Sequence, residues 1–284
     1  MKITNKYDLP EPLFRKLRAT VRPPVKGVFH VTELIRPPQI TAIIRRHWDE
    51  LIQDASELIW AFFGQVAHLM LAEEGLPFQE IPLAFIIDGA KVVGTSDLKE
   101  GGLVSDYKST SVWSLLLGDK VEWEQQLNLY ATLFRLDGKE VTGLQIEAFL
   151  RDWKERDFQK DPSRYPPSQV IIKPIPLWPF EEGLDFLKER LRLHVLAAEG
   201  GDFAECTSEE MWEKPTTWAF KRQGRERALK VFDSHTEAQE YLEEKGGGDG
   251  YYIETRPGSR PRCERYCAAA PFCEQFKKWK GGEK

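Results

Sequence analysis

Three strand-like runs in succession, EIPLAFII, AKVVGTSD and LVSDYK, lie between residues 80 and 108, separated by Asp88-Gly89 and by a Gly101-Gly102 turn. Apolar and β-branched runs punctuated by such dipeptides read as consecutive hairpin strands. Helical stretches flank them. Upstream, Pro37-Pro38 precedes ITAIIRRHWDELI, and Asp54 with Glu57 makes a D-x-x-E capping signature for ASELIWAFFGQVAHLMLAEE, closed by Gly75. Downstream come the helix VEWEQQLNLYATLFRL, the strands GLQIEAFL and QVIIKPIP, and the helix EEGLDFLKERLRLHVLAA, which ends at Gly200-Gly201. The order ααβββαββα is that of an α/β domain.

At 284 residues the chain is long enough for one such domain and a small appendage. Residues 1–30 hold several prolines and basic residues without periodicity, which predicts an irregular arm. After Gly201 the character changes: TWAFKR and ALKVF read as strands, Ser234 and Glu237 cap a helix TEAQEYLEEK, and YYIETR follows the flexible GGGDG. We therefore divide the chain into a main domain, 1–202, and a small α+β (ββαβ) module, 203–284. No internal repeat or heptad pattern is evident.

Hydrophobic residues make up 41% of the chain and aromatics 12%, enough for a packed core, so wholesale disorder is excluded. No apolar run of membrane-spanning length and no signal-peptide pattern stands out, so a cytoplasmic protein without a membrane partner is expected. The net charge of −5 suits an enzyme better than a passive nucleic-acid coat, since phosphate binding rests on Lys and Arg.

On the second helix Glu57, Ala61, Gly64 and His68 fall on one stripe. The small Ala61 and Gly64 would let another element approach beside His68, as an imidazole needs to reach an ion held on a sheet. A core or surface histidine gives the same pattern. In LVSDYK, Asp106 and Lys108 are two apart and share a face. If Lys99–Gly102 form the hairpin loop, Leu98 pairs with Leu103, and Asp97 and Asp106 become diagonal neighbours roughly 7–8 Å apart. Two carboxylates so placed can hold a hard cation, with Lys108 beside them to orient a water or neutralise charge at phosphorus. On the next helix Gln126 and Tyr130 stand at i, i+4, suited to phosphate oxygens, to the backbone of the Asp106 strand, or to a simple core contact.

Four cysteines in a chain without a signal peptide argue against a disulfide framework. Cys263, Cys267 and Cys273 are spaced C-x3-C-x5-C, and Cys206 is the fourth. The count matches the ligands of a 4Fe–4S cluster or a structural Zn²⁺.

The ordered series Gly64-x-x-x-His68, GTSD ending at Asp97, Asp106-Tyr107-Lys108, and Gln126-x-x-x-Tyr130 resembles the RecB-like branch of the PD-(D/E)XK nuclease superfamily. This branch holds RecB-type helicase–nucleases and the related CRISPR-adaptation exonucleases. The resemblance covers roughly residues 30–200 and the C-terminal cysteines. It implies a mixed central β-sheet flanked by helices, and Mg²⁺- or Mn²⁺-dependent phosphodiester hydrolysis in DNA that is single-stranded or has free ends. His68, Asp97 and Asp106 would ligate the metal, with the Tyr107 carbonyl as a further ligand. Lys108 would be the catalytic lysine, and Gln126 and Tyr130 would lie near the DNA. A histidine ligand makes the site slightly softer than all-oxygen coordination, so Mn²⁺ should serve at least as well as Mg²⁺. The pathway implied is recombination, repair, phage DNA metabolism or CRISPR adaptation, with a helicase or a recombination or CRISPR protein as partner. Relatives bind 4Fe–4S through three C-terminal cysteines and one placed before the histidine helix. Here no cysteine precedes residue 206 and the first spacing is three rather than two, so Cys206 would be the replacement ligand, with Zn²⁺ as the alternative. Other readings are a catalytically inactive nucleic-acid-binding or scaffold protein, and a redox or zinc-binding interaction module carried on a nuclease fold.

Overall fold

The computed structural model describes residues 1–72, 78–116, 118, 120–201, 203–247 and 250–282. The chain forms two compact units, Met1–Phe203 and Ala204–Lys284.

The first unit begins with β1 (Lys2–Thr4), α1 (Glu11–Thr20), β2 (Val28–His30), α2 (Val31–Leu34), α3 (Pro38–Arg46) and β3 (Ile52–Asp54). The irregular arm expected at residues 1–30 is thus corrected. The prolines read as breakers stand at the cap (Pro10) and in the first turn (Pro12) of α1, where a missing N–H is harmless and the fixed φ suits a helix. Leu17 then anchors α1 by complete burial.

Asp54 joins several elements at once. Its carboxylate accepts from the Ser56 N–H at 3.1 Å and the Ser56 hydroxyl at 2.7 Å, and from the Thr4 hydroxyl and Lys6 N–H at 2.8 Å each. These bonds tie β1 to the parallel β3 and start a 3₁₀ turn, Ala55–Leu58, that runs into α4 (Ile59–Ala72). Gly75, the expected stop signal, lies outside the described residues. Ala55–Ala72 spans 18 residues and is apolar enough to cross a membrane by length and composition alone. This corrects the expectation that no run reaches that length; Glu57 is its one residue among Asp, Glu, Lys and Arg. Trp60, Phe63, Leu69 and Met70 are exposed on it.

Next come β4 (Gln79–Ile87), β5 (Ala90–Glu100), β6 (Leu103–Thr110), α5 (Val112–Leu116), α6 (Val121–Leu136), β7 (Gly143–Leu150), α7 (Glu155–Lys160), β8 (Val170–Ile175) and α8 (Phe180–Ala198). The sheet runs β2-β5-β6-β7-β8, with β4 also paired to β5. The pairs β4–β5, β5–β6 and β7–β8 are antiparallel, while β2–β5 and β6–β7 are parallel. The fold is therefore α/β with a mixed central sheet flanked by helices. Asp88 and Gly89, at φ +48° and +82°, close β4–β5 in two residues, as a tight hairpin requires. On β7, Leu144, Ile146, Ala148 and Leu150 alternate inward. Helix α6 packs on β4, β6, β7 and β8 on one side and on α8 on the other, which is why Gln126 through Phe134 are buried without a polar face.

One edge of β5 is shared. Strand β2 pairs with Lys91–Val93 and β6 pairs with Leu98–Glu100, so residues 94–97 face a fork between two neighbours.

The second unit holds α9 (Ser208–Met211), β9 (Thr217–Arg222), β10 (Lys230–Phe232), α10 (His235–Glu244), β11 (Tyr251–Arg256) and α11 (Glu274–Gly282). Strand β9 is central in an antiparallel sheet, and α10 covers it through Phe220, Phe232 and Ala238. The core is small and aromatic, with Phe220 stacked on Tyr251 at 5.1 Å.

Candidate functional site

The fork in the sheet is where the sequence-derived acids meet. The expected four-residue loop Lys99–Gly102 is tighter in the structure. Glu100 pairs with Leu103, and Gly101, at φ +55°, makes the turn with Gly102. The register shifts accordingly: Leu98 opposes Ser105, and its continuation sets Asp97 opposite Asp106. The diagonal placement expected for the two acids is corrected to a direct one. The β5–β6 ladder stops there, and the Asp97 carboxylate substitutes for it, Oδ2 accepting the Tyr107 N–H at 2.8 Å. A residue's N–H and C=O point the same way in a strand, so the Tyr107 carbonyl faces the same fork.

Strand β4 adds a third acid. Gln79 opposes Leu98 and Ile81 opposes Ser96, so Glu80 stands across from Asp97, at an unusual φ of +46°. His68, on α4, completes the group: its Nδ1 is 3.2 Å from Asp97 Oδ1 and 3.6 Å from Glu80 Oε1. Ligand atoms of His68, Glu80 and Asp97 all lie within 4.8 Å of one another, the spacing of donors around one ion. The His68 ring stands edge-on to Tyr107, with centroids 5.6 Å apart. The small residues before His68 do not serve the close approach expected of them, because a Cβ at Gly64 would meet nothing within 4 Å. Glu80 was not among the residues singled out in the sequence. Counting eight pairs back from the Asp88-Gly89 turn would have found it.

Asp106 is not part of this trio. It is buried, and its Oδ2 lies 2.6 Å from Lys108 Nζ while Oδ1 accepts from Gln126 Nε2 at 2.9 Å. Lys108 Nζ also donates to Gln126 Oε1 at 2.9 Å, closing a three-membered ring of contacts. Gln126 thus spends its amide on the Asp106–Lys108 pair. One turn on, Tyr130 is buried against Gly94, where an added Cβ would lie 2.7 Å from Tyr130 Cε1 and 3.0 Å from Val31 Cγ2. The glycine of GTSD exists for the tyrosine of Gln126-x-x-x-Tyr130. Lys120, at the start of α6, is near enough to Lys108 that burial and that charge together hold its ammonium below the usual range.

Electrostatically the site is acid-rich, with Asp97 and Asp106 buried and Glu80, His68 and Lys108 partly exposed. Burial pushes the Asp106 carboxyl up to about 6, with Lys108 opposing and Asp97 adding to the rise. Burial also raises Glu80, helped by Asp97. The hydrogen bond that the imidazole donates to Asp97 raises His68 against its own desolvation. Each shift favours holding a proton. Burial likewise raises the Tyr130 phenol.

In the second unit Cys206 precedes the capped α9, Cys263 lies in the helical turn Arg262–Tyr266, Cys267 follows it, and Cys273 leads into α11. None of the four is in a disulfide. The Gln275 side chain clamps Cys206, accepting from its N–H at 3.0 Å and donating to its carbonyl at 2.8 Å. Burial pushes the Cys206 thiol up to about 12, and Cys273, Cys267 and Cys263 each add to the rise, so the four sulfurs share one neighbourhood. Cys263 is likewise raised to about 11, by burial first.

No family model and no curated protein matches the chain. Among solved structures, SSO0001 is 18% identical with a TM-score of 0.41, over 64% of this chain and 84% of that one. A Eubacterium rectale protein solved under the name "Putative exonuclease" is 14% identical with a TM-score of 0.32, over 68% of this chain and 65% of that one.

Proposed function

We propose that this protein is a divalent-cation-dependent DNA nuclease of the PD-(D/E)XK superfamily, RecB-like branch, acting on single strands or free ends. The observation that carries this reading is the meeting at one sheet fork of the His68–Glu80–Asp97 donor set with the Asp106–Lys108–Gln126 ring. The donors, one nitrogen and several carboxylate oxygens, fit Mg²⁺ or Mn²⁺, with the imidazole favouring Mn²⁺. Such an ion supplies charge neutralisation at phosphorus and a more acidic water. Asp97 and Asp106 hold opposite sides of the fork, and the Tyr107 carbonyl faces it. Lys108, fixed by Gln126, is the group within reach of a phosphate oxygen or an attacking water. Tyr130 holds α6, and with it Gln126, against Gly94.

The four cysteines fit a thiolate-bound centre, a 4Fe–4S cluster or Zn²⁺. Cys206 and Cys273 are buried and Cys263 and Cys267 half-buried, and a cation would compensate the ionisation of thiols gathered in this way. Cys206, Cys263, Cys267 and Cys273 would hold it, and its role is to brace a module whose own core is small.

The test is incubation with Mn²⁺ or Mg²⁺ and end-labelled single- and double-stranded DNA, reading the product ladder. Metal-dependent cleavage lost in Asp106→Ala and Lys108→Ala supports the assignment. Full activity in Asp106→Ala refutes it.

A further inference from the structure

We infer that the exposed aromatic stripe of α4, built on Trp60 and Phe63 and backed by Arg151, is a ledge on which unpaired bases of single-stranded DNA stack. The inference rests on the nuclease reading of the adjacent site and names the surface by which that site receives its strand. Trp60 is 63% exposed and Phe63 52% exposed, a large apolar display for residues anchored in an ordered helix. Their rings lie 6.0 Å apart, and the exposed Arg151 guanidinium sits 4.2 Å over the Trp60 ring. Aromatic faces edged by a guanidinium are what sequence-tolerant binding of bases and backbone uses, because every base has a π-face and every linkage a charge.

Both elements of the ledge adjoin elements that carry site residues. Arg151 follows β7 directly, and its N–H donates to the Thr110 carbonyl at 2.9 Å, two residues beyond Lys108 on β6. Phe63 and Trp60 are five and eight residues from His68 on one helix, so roughly 7 and 12 Å along its axis. Around the axis, at about 100° per residue, Trp60 stands roughly 80° and Phe63 roughly 140° from His68, so a strand whose phosphate lies at the fork would turn about α4 to set its neighbouring bases on these rings. A lipid surface or a second copy of the chain would also cover these side chains; the Arg151 cation beside a site read as a nuclease favours a phosphate-bearing strand, and the vesicle and gel-filtration measurements below are the check. Helix α4 is also held by His68 at the acid cluster, which a membrane-spanning role would have to break.

The experiment measures binding, in Mg²⁺, of the full chain to a fluorescent dT20 carrying nuclease-resistant phosphorothioate linkages, alongside a duplex of the same backbone. Trp60→Ala and Arg151→Ala should each weaken single-strand binding roughly tenfold while leaving duplex binding within about twofold, and Trp60→Phe should recover most of the loss. Both positions are exposed, and unchanged thermal melting checks that the variants fold. Single-strand affinity that is indifferent to both alanine variants would overturn the inference. So would loss of self-association in gel filtration, or loss of binding to anionic vesicles, without loss of dT20 affinity. Because the probe is not cleaved, a ledge that binds without any nuclease activity on ordinary DNA refutes the catalytic reading alone. Cleavage with Trp60-independent binding refutes the ledge alone.

Discussion

Replacing Asp106 with Asn should make the metal-free protein more stable. Asp106 is 3% exposed, and its carboxyl is pushed from 3.8 to about 6. That value already includes the attraction of Lys108, so ionising Asp106 is unfavourable even with its partner in place. A folded-state pKa above the unfolded one means that the native state binds the extra proton between the two values. Stability from this group is therefore present below the unfolded pKa and is lost as pH rises through about 6. At pH 7 the rise corresponds to a cost of roughly 3 kcal/mol. Asn carries no charge, but it cannot reproduce both the Lys108 and Gln126 contacts, and one lost hydrogen bond offsets about 1 kcal/mol. The net gain expected is about 2 kcal/mol at pH 7 in EDTA, shrinking toward zero or below near pH 4. Urea unfolding of wild type and Asp106→Asn at several pH values in EDTA measures it. An Asp106→Asn protein that is less stable than wild type at pH 7, or a difference that does not vary with pH, would show the carboxylate to be net stabilising through its Lys108 pair. The reading of Asp106 as a carboxyl held against its ionisation would then fail.

Glu80→Gln should raise the Mn²⁺ concentration for half-maximal thermal stabilisation roughly tenfold, since it removes one charged donor of the His68–Glu80–Asp97 trio; an unchanged titration would demote Glu80 to a surface acid. Gly94→Ala drives a Cβ to 2.7 Å from the Tyr130 ring and should cost about 1–3 kcal/mol in urea unfolding, with cleavage falling further than stability explains. His194 is buried, and burial pushes its imidazole down to about 4, so wild type should lose roughly 3 kcal/mol as pH falls from 6.5 to 4, a loss that His194→Gln should not show. Cys263→Ser should leave the chain without iron or zinc in elemental analysis and make Ala204–Lys284 protease-sensitive; wild-type protein lacking both metals would refute the centre outright.

The sheet and its covering helices were legible because their local signals agree with their burial. Helix α6 and strand β7 begin and end at the residues their periodicity marks, 121–136 and 143–150. Helix α1 was not legible, because Pro10 and Pro12 look like breakers unless they are recognised as first-turn residues. The 3₁₀ entry to α4 was hidden for a related reason. Asp54 does cap, but for Ser56 and for two residues near the N-terminus, which no local reading can see.

At the site, residue types were legible and geometry was not. Asp97, Asp106 and Lys108 follow from spacing within strands, a property of period two. How the acids face one another depends on whether the turn takes two residues or four, and one step there converts diagonal neighbours into direct ones. The same arithmetic hid Glu80, whose place opposite Asp97 follows only from the β4–β5 register. Gly64 shows the opposite error, a small residue given a steric purpose where none exists, while Gly94, inside GTSD, carries the steric constraint through Tyr130. The fork explains why these features coincide. Where β6 leaves β5, backbone groups at Tyr107 lose their ladder partners and must be satisfied by a side chain, so an acid at Asp97 is structurally required before any chemistry is considered. That acid, fixed by the backbone on one oxygen and open to His68 on the other, is the point at which the requirement of the fold and that of the proposed cation would be met by the same residue.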